Sequence, residues 1–158
     1  MTRRSGRSEA RAVVRNLGPA DRERWHELWR GYLEFYRSEL PADLTELTWQ
    51  RLLDPAHPFQ GLVAVDGDRV VGIVHFHLHA STWARFGYCY LEDLFVDPAC
   101  RGLGAGRALI EAVYQAADSQ GAERVYWHTE NTNDRAQSLY RQVAELTPFV
   151  QYRRLPIE

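Results

Sequence analysis

Three alternate glycines stand in Arg101-Gly102-Leu103-Gly104-Ala105-Gly106-Arg107. They follow the run Leu91-Glu92-Asp93-Leu94-Phe95-Val96 and lead into Ala108, Leu109, Ile110, Ala112, Val113, Ala116 and Ala117 at helical spacing. Glycine lets a ligand approach the backbone with its amides exposed, and a helix N-terminus adds partial positive charge. The stretch is therefore predicted to cradle a pyrophosphate, with Arg101 and Arg107 flanking it. A dinucleotide-binding loop fits less well, because Gly-x-Gly-x-x-Gly begun at Gly102 meets Arg107, and begun at Gly104 meets Leu109. That loop also follows the first strand of its domain, whereas this one comes after three predicted antiparallel strands.

A second pattern is the alternation of His75, His77 and His79 with Val74, Phe76 and Leu78, which puts three imidazoles on one strand face. Neighbouring histidines on a strand can bind a metal. No carboxylate or cysteine joins them at local spacing, so a polar, partly wet sheet face without metal is the expectation. His77 or His79 then remains available to an acceptor group.

The elements that position these residues follow from periodicity. Residues 11–16 read as a first strand. Trp25, Leu28, Trp29, Tyr32, Leu33, Phe35 and Tyr36 recur at helical spacing within a helix over 19–37. A short second helix is predicted over 48–53, stopped before Pro55. Asp66-Gly67-Asp68 between apolar runs predicts a hairpin of strands 60–65 and 69–78. Another strand covers 86–96, closed by Asp97-Pro98. A helix to about Gly121, a strand over 124–128, a helix over 133–144 and a closing strand over 149–153 complete the chain. Strand, helix, strand in the second half predicts a parallel pair. Residues 1–10, with Arg3, Arg4 and Arg7, read as a flexible basic tail, and 11–158 as one domain.

Composition removes several functions. The 158 residues carry 21 acidic and 19 basic side chains, net −2, too balanced for nucleic acid or anionic membrane as the main partner. Every basic residue is arginine. The lack of lysine excludes a Walker A loop, a Schiff-base mechanism and internal autoacetylation. Cys89 and Cys100 read as reduced thiols. No apolar run nears the roughly 20 residues of a membrane span, and the N-terminus lacks a signal peptide's apolar stretch, so a cytoplasmic protein is expected.

Arg101, Gly104 and Gly106 match Arg/Gln-x-x-Gly-x-Gly/Ala, and Asn133-Asp134-Arg135-Ala136-Gln137-Ser138-Leu139-Tyr140 matches Asn-x-x-Ala-x-x-Leu-Tyr downstream. Both signatures resemble the GCN5-related N-acetyltransferases (GNAT), over roughly residues 11–155. Tyr-Leu-Glu-Asp-Leu-Phe-Val and Val-Tyr-Trp-His-Thr look closest to the polyamine acetyltransferase and Hpa2-like branch. One departure is Val143-Ala144-Glu145 where many members follow the tyrosine with Gly-Phe.

The resemblance implies one α/β domain with a mixed, mostly antiparallel sheet of six or seven strands and about four helices. It implies acetyl transfer from acetyl-CoA to a primary amine, a small diamine or polyamine or a Lys-like amine. The backbone at Leu94, Phe95 and Val96 would bind the acetyl and pantetheine groups. Arg101, Gly102, Leu103, Gly104, Ala105, Gly106 and Arg107 would take the pyrophosphate, with Asn133 and Tyr140 also at the cofactor. Tyr140 falls where the family's thiol-protonating tyrosine stands, and a phenol of pKa about 10 can protonate a thiolate whose acid is near 8.5.

Glu92 is the candidate general base, on the face shared with Tyr88, Tyr90 and Leu94 if the strand is regular. Asp93 would then face the other way unless a bulge intervenes. Glu34, Glu39, Asp43 and Glu46 join these two as a plausible acidic lining for a cationic acceptor. A homodimer is expected from the branch and from the β-prone Phe149-Val150-Gln151-Tyr152. The alternative is a non-catalytic CoA-binding or interaction module, with a metal site as a third reading.

Overall fold

A computed structural model describes residues 12–157. The predicted basic tail lies outside them. The chain falls into two compact units, divided between His128 and Thr129.

In the first unit, branched and aromatic runs form five strands in the order β1-β2-β3-β4-β5: β1 (Val13–Asn16), β2 (Gln60–Asp66), β3 (Arg69–His79), β4 (Tyr88–Val96) and β5 (Val125–Tyr126). The first three pairings are antiparallel and β4–β5 is parallel. Asp66-Gly67 makes the β2–β3 turn, Gly67 sitting at φ 59. The helices are α1 (Arg22–Phe35), α2 (Ala42–Leu53) and α3 (Ala105–Ser119), with α4 (Asp134–Val143) in the second unit. The α/β class, mixed sheet and four helices agree with expectation.

The strand number does not: five among the described residues, not six or seven. The missing strand is the predicted closing one. Residues 149–153 have strand composition but no regular structure, and Phe149, Val150 and Tyr152 are exposed. β-propensity yields a strand only where a neighbour supplies the ladder. The second helix also starts six residues earlier than its apolar spacing suggested, after Pro41 at the N-cap, because the buried residues that reveal it, Trp49 and Leu52, lie only in its second half.

Two apolar layers sandwich the sheet. Trp25, Leu28 and Trp29 of α1 and Trp49 and Leu52 of α2 pack with Val63, Val70 and Ile73. Leu109, Ile110, Val113 and Ala117 of α3 are buried on the other face, where Gly72 leaves room for Leu109. Fully burying one such side chain is worth about 1.5–3 kcal/mol. Gly31 fits α1 closely against the sheet, since a Cβ there would meet the Phe95 ring at 2.9 Å.

Arg24 of α1 fixes the end of β4: its guanidinium donates to the Val70 carbonyl (2.8 Å) and the Asp97 carboxylate (2.5 Å). Asp97 also accepts from the Ala99 amide at 2.9 Å. These contacts, led by the Arg24 hydrogen bond, hold the Asp97 carboxyl below its ordinary range. The chain thus enters the glycine loop from an anchored turn.

Candidate active site

The loop after that turn has the predicted geometry. Gly102 and Gly104 sit at φ 88 and 71, in the left-handed region that favours glycine, and a Cβ at either would meet nothing within 4 Å. Gly104 caps α3, and the first helical bond runs from the Ala108 amide to the Gly104 carbonyl at 3.0 Å. The amides of Ala105, Gly106 and Arg107 belong to the first turn, where a helix offers them no carbonyl of its own. Gly106 is helical, so only two of the three glycines are needed for a left-handed backbone. Arg101 is exposed, Leu103 and Arg107 half-buried.

β4 borders this loop with an open edge. Its parallel ladder with β5 covers only Cys89↔Val125 and Tyr90↔Tyr126. Among the described residues, no strand pairs with Leu91–Val96 on that side. The Asp97 amide donates to the Val71 carbonyl (2.8 Å), which makes Val96↔Gly72 a non-hydrogen-bonded pair. By alternation, Phe95 spends its backbone groups on β3, while the N–H and C=O of Leu94 and Val96 point to the open side. Of the three backbone positions expected to bind a ligand, two therefore present free groups.

A β-bulge lies between His75 and Phe76 in the β3–β4 register: Leu91 faces Phe76, Asp93 faces His75, and Glu92 is the extra residue. The regular alternation expected for β4 is corrected here. Asp93 joins Tyr88 and Tyr90 on the face of the three histidines, and Leu94, opposite Val74, turns to the α3 side. Glu92 is half-exposed and its carboxylate lies 3.6 Å from His77 Nε2. Burial first, then the negative charge of Asp93, push the Glu92 carboxyl above its ordinary value. A carboxylate so tuned is a better proton acceptor near neutrality.

Around it, Asp93 Oδ2 meets His75 Nδ1 at 2.9 Å, and His75 Nε2 meets the indole N–H of Trp25 at 2.9 Å. A cavity of about 30 Å³ is lined by Glu92, Asp93, His75, His77, Thr48, Leu52, Phe59 and Phe76. That is room for a water molecule or two. Beyond it the same face carries rings: the Tyr126 hydroxyl pairs with His79 Nε2 (2.7 Å) and the Tyr90 hydroxyl with His128 Nδ1 (3.2 Å).

Of the residues expected as an acidic lining, one is already paired. Glu34, Glu39 and Asp43 are exposed, but Glu46 is engaged by the Arg22 guanidinium. Asp93, His75, Trp25 and Tyr32 were not expected together at the site. The signal available in sequence was a Glu-Asp pair beside alternating histidines; the bulge that unites them is invisible there.

In the second unit, Asn133 is the N-cap of α4, its side-chain oxygen accepting from the Ala136 amide (3.4 Å) and its amide donating to the Thr129 hydroxyl (3.2 Å). The Asn-x-x-Ala part of the second signature thus has a structural role. Tyr140 sits near the end of α4, half-buried. Among the described residues, no group of three or more His, Cys, Asp or Glu side chains has metal-binding geometry, and no helix is long and apolar enough to cross a membrane.

Known proteins share this architecture. Residues 22–144 match the Acetyltransferase (GNAT) family. The D-amino-acid N-acetyltransferase HPA3 of Saccharomyces cerevisiae is 39% identical over 147 residues, covering 91% of each chain. A thialysine N-epsilon-acetyltransferase of Caenorhabditis elegans is 31% identical over 80 residues, 51% of this chain and 49% of that one. The structure of AAC(6')-Iy with the bisubstrate analogue CoA-S-monomethyl-acetylneamine shares the fold, with a TM-score of 0.79 at 19% identity over 92% of this chain and 99% of that one. A match over most of the chain, together with the yeast relative, settles the family: this protein belongs to the GNAT acetyltransferases and is an acetyl-CoA-dependent N-acyltransferase.

Proposed function

We propose that this chain, as one catalytic domain over residues 11–158, acetylates the primary amine of a small cationic acceptor, with Glu92 as general base and Tyr140 as general acid. The observation that carries the reading is the open β4 edge running into a left-handed glycine loop at a helix N-terminus. Acetyl-CoA supplies the activated thioester. The residues fit it: amides of Ala105, Gly106 and Arg107, with Arg101 and Arg107 beside them, suit a pyrophosphate. The backbone groups of Leu94 and Val96 suit the amides of an extended pantetheine arm.

An ammonium acceptor must lose a proton before its nitrogen can attack. Glu92, raised in pKa and open to the small cavity, receives that proton directly or through water. The amine nitrogen then bonds to the acyl carbon as the carbon–sulfur bond breaks and gives up its second proton to solvent, while the departing thiolate takes the phenolic proton of Tyr140. Solvent returns a proton to the tyrosine, and the amide and free thiol leave. No metal takes part in this scheme.

The acceptor is small and cationic on two grounds. The exposed Glu34, Glu39 and Asp43, with Glu92 and Asp93, are the candidate acidic lining, which would raise the local concentration of a cation. The names of the relatives point to amino-acid and lysine-like amines. We further infer a homodimer, because Leu146, Phe149, Val150, Tyr152, Leu155 and Ile157 are exposed in a single copy. Thiol release measured over polyamines, D- and L-amino acids and Lys peptides tests the reading. The expected result is turnover highest with a small polycation or Lys-like amine and falling with salt. Equal rates for spermidine and an uncharged-tail amine of similar length, without salt dependence, would remove the electrostatic argument.

A further inference from the structure

We propose that Asp93, clamped by the buried Trp25–His75 pair, is a positioning residue: the fixed negative charge against which Glu92 works as base. The inference rests on the reading of Glu92 given above.

The clamp follows from donor chemistry. Indole nitrogen can only donate. The 2.9 Å contact from Trp25 Nε1 therefore makes His75 Nε2 an acceptor, which leaves the ring proton on Nδ1. That proton points at Asp93 Oδ2, 2.9 Å away. Trp25 is fully buried and His75 only 5% exposed, so neither partner exchanges this arrangement for water. Tyr32 of α1 lies near the same carboxylate, and burial with the Asp93 charge drives the Tyr32 phenol far above its ordinary value, keeping it protonated.

The bulge brings this assembly to the reacting face. Without the extra residue at Glu92, Asp93 would point to the α3 side, among Leu109 and its apolar neighbours. With it, both carboxylates line one cavity of about 30 Å³, with His75 and His77 opposite. They differ in environment: Asp93 is 14% exposed and held by His75 at 2.9 Å, Glu92 is 47% exposed with only the longer His77 contact. Two carboxylates side by side with unequal surroundings divide into a fixed charge and a proton carrier.

The titratable groups facing Glu92 are His75 and His77 from β3, Tyr90 and Asp93 from β4, Tyr126 from β5 and Tyr32 from α1. From α2 the cavity wall receives Thr48 and Leu52, neither charged. Asp93 is thus the one carboxylate in the group beside Glu92, and its removal acts on Glu92 with a definite sign.

The test is kcat/KM against pH for the wild type, Glu92→Gln and Asp93→Asn with one amine, together with long-range ¹⁵N–¹H NMR of the His75 ring in the wild type. Asparagine keeps an oxygen for His75 to donate to but removes the charge. We expect Glu92→Gln to lose the acid limb, and Asp93→Asn to keep it but move it to lower pH by roughly one unit. His75 should show its proton on Nδ1. An acid limb lost in Glu92→Gln but unmoved in Asp93→Asn overturns the role of Asp93 alone. A wild-type acid limb in Glu92→Gln overturns the base reading, and this inference with it. A His75 proton on Nε2 overturns the clamp whether or not the Asp93 variant folds.

Discussion

Gly104→Ala probes the glycine loop at its most demanding backbone position. Gly104 sits at φ 71 and ψ 14, where a side chain costs about 1–2 kcal/mol. Nothing lies within 4 Å of where a Cβ would be, so no packing in the free protein opposes relaxation. The loop is then expected to escape the strain when empty and to recover it on binding. At 1.4 kcal/mol per tenfold, acetyl-CoA should bind roughly 5–30-fold more weakly. Gly104→Asn separates two causes, because asparagine tolerates the left-handed region better than alanine. If strain is the whole effect, Asn recovers most of the affinity; if the pyrophosphate also lies against the Gly104 backbone, both variants lose more than alanine's strain explains. Isothermal calorimetry with acetyl-CoA reads this directly. An alanine variant that binds like the wild type would refute the loop as the pyrophosphate site.

Three other outcomes follow from the same geometry. Tyr140→Phe should lower turnover by roughly 10²-fold and leave acetyl-CoA affinity near wild type; steady-state rates paired with calorimetry check this, and wild-type turnover would assign the proton to water or the amine. Light scattering at micromolar concentration should give a dimer mass, and a monomer mass contradicts the homodimer. Asp21 accepts from both terminal nitrogens of Arg15 and from the Gly18 amide, all at 2.8 Å, and the Arg15 hydrogen bond above all lowers its pKa. A depressed carboxyl stabilises the fold above its unfolded-state value and loses that contribution as pH falls through its folded-state value. Asp21→Asn should thus cost about 1–2 kcal/mol in urea unfolding at neutral pH, modest because Arg15 is half exposed, and little in strong acid.

Local patterns carried the fold a long way. Alternation and turn residues marked β2, β3 and their hairpin to within a residue or so, and the apolar stripe of α3 was plain. What sequence could not carry was non-local. The strand predicted at 149–153 depends on a neighbour that composition does not reveal. The bulge at Glu92 depends on pairing with β3, so a period-two reading assigned Asp93 and Leu94 to the wrong faces. The Trp25–His75 bond joins residues 50 apart, and an aromatic stripe on a helix says only that the helix is buried. The glycine loop was legible because conformation and ligand approach both act on residue type at one place in the chain.

Amide hydrogen exchange at residue resolution, with and without acetyl-CoA, tests the central claim most directly. In the free protein the Phe95 amide pairs with β3, while those of Leu94 and Val96 face the open edge. Phe95 should exchange slowly in both states, and Leu94, Val96, Ala105, Gly106 and Arg107 should slow only when acetyl-CoA is bound. Binding that leaves the exchange of those five amides unchanged would contradict the placement of the cofactor between the open β4 edge and the glycine loop.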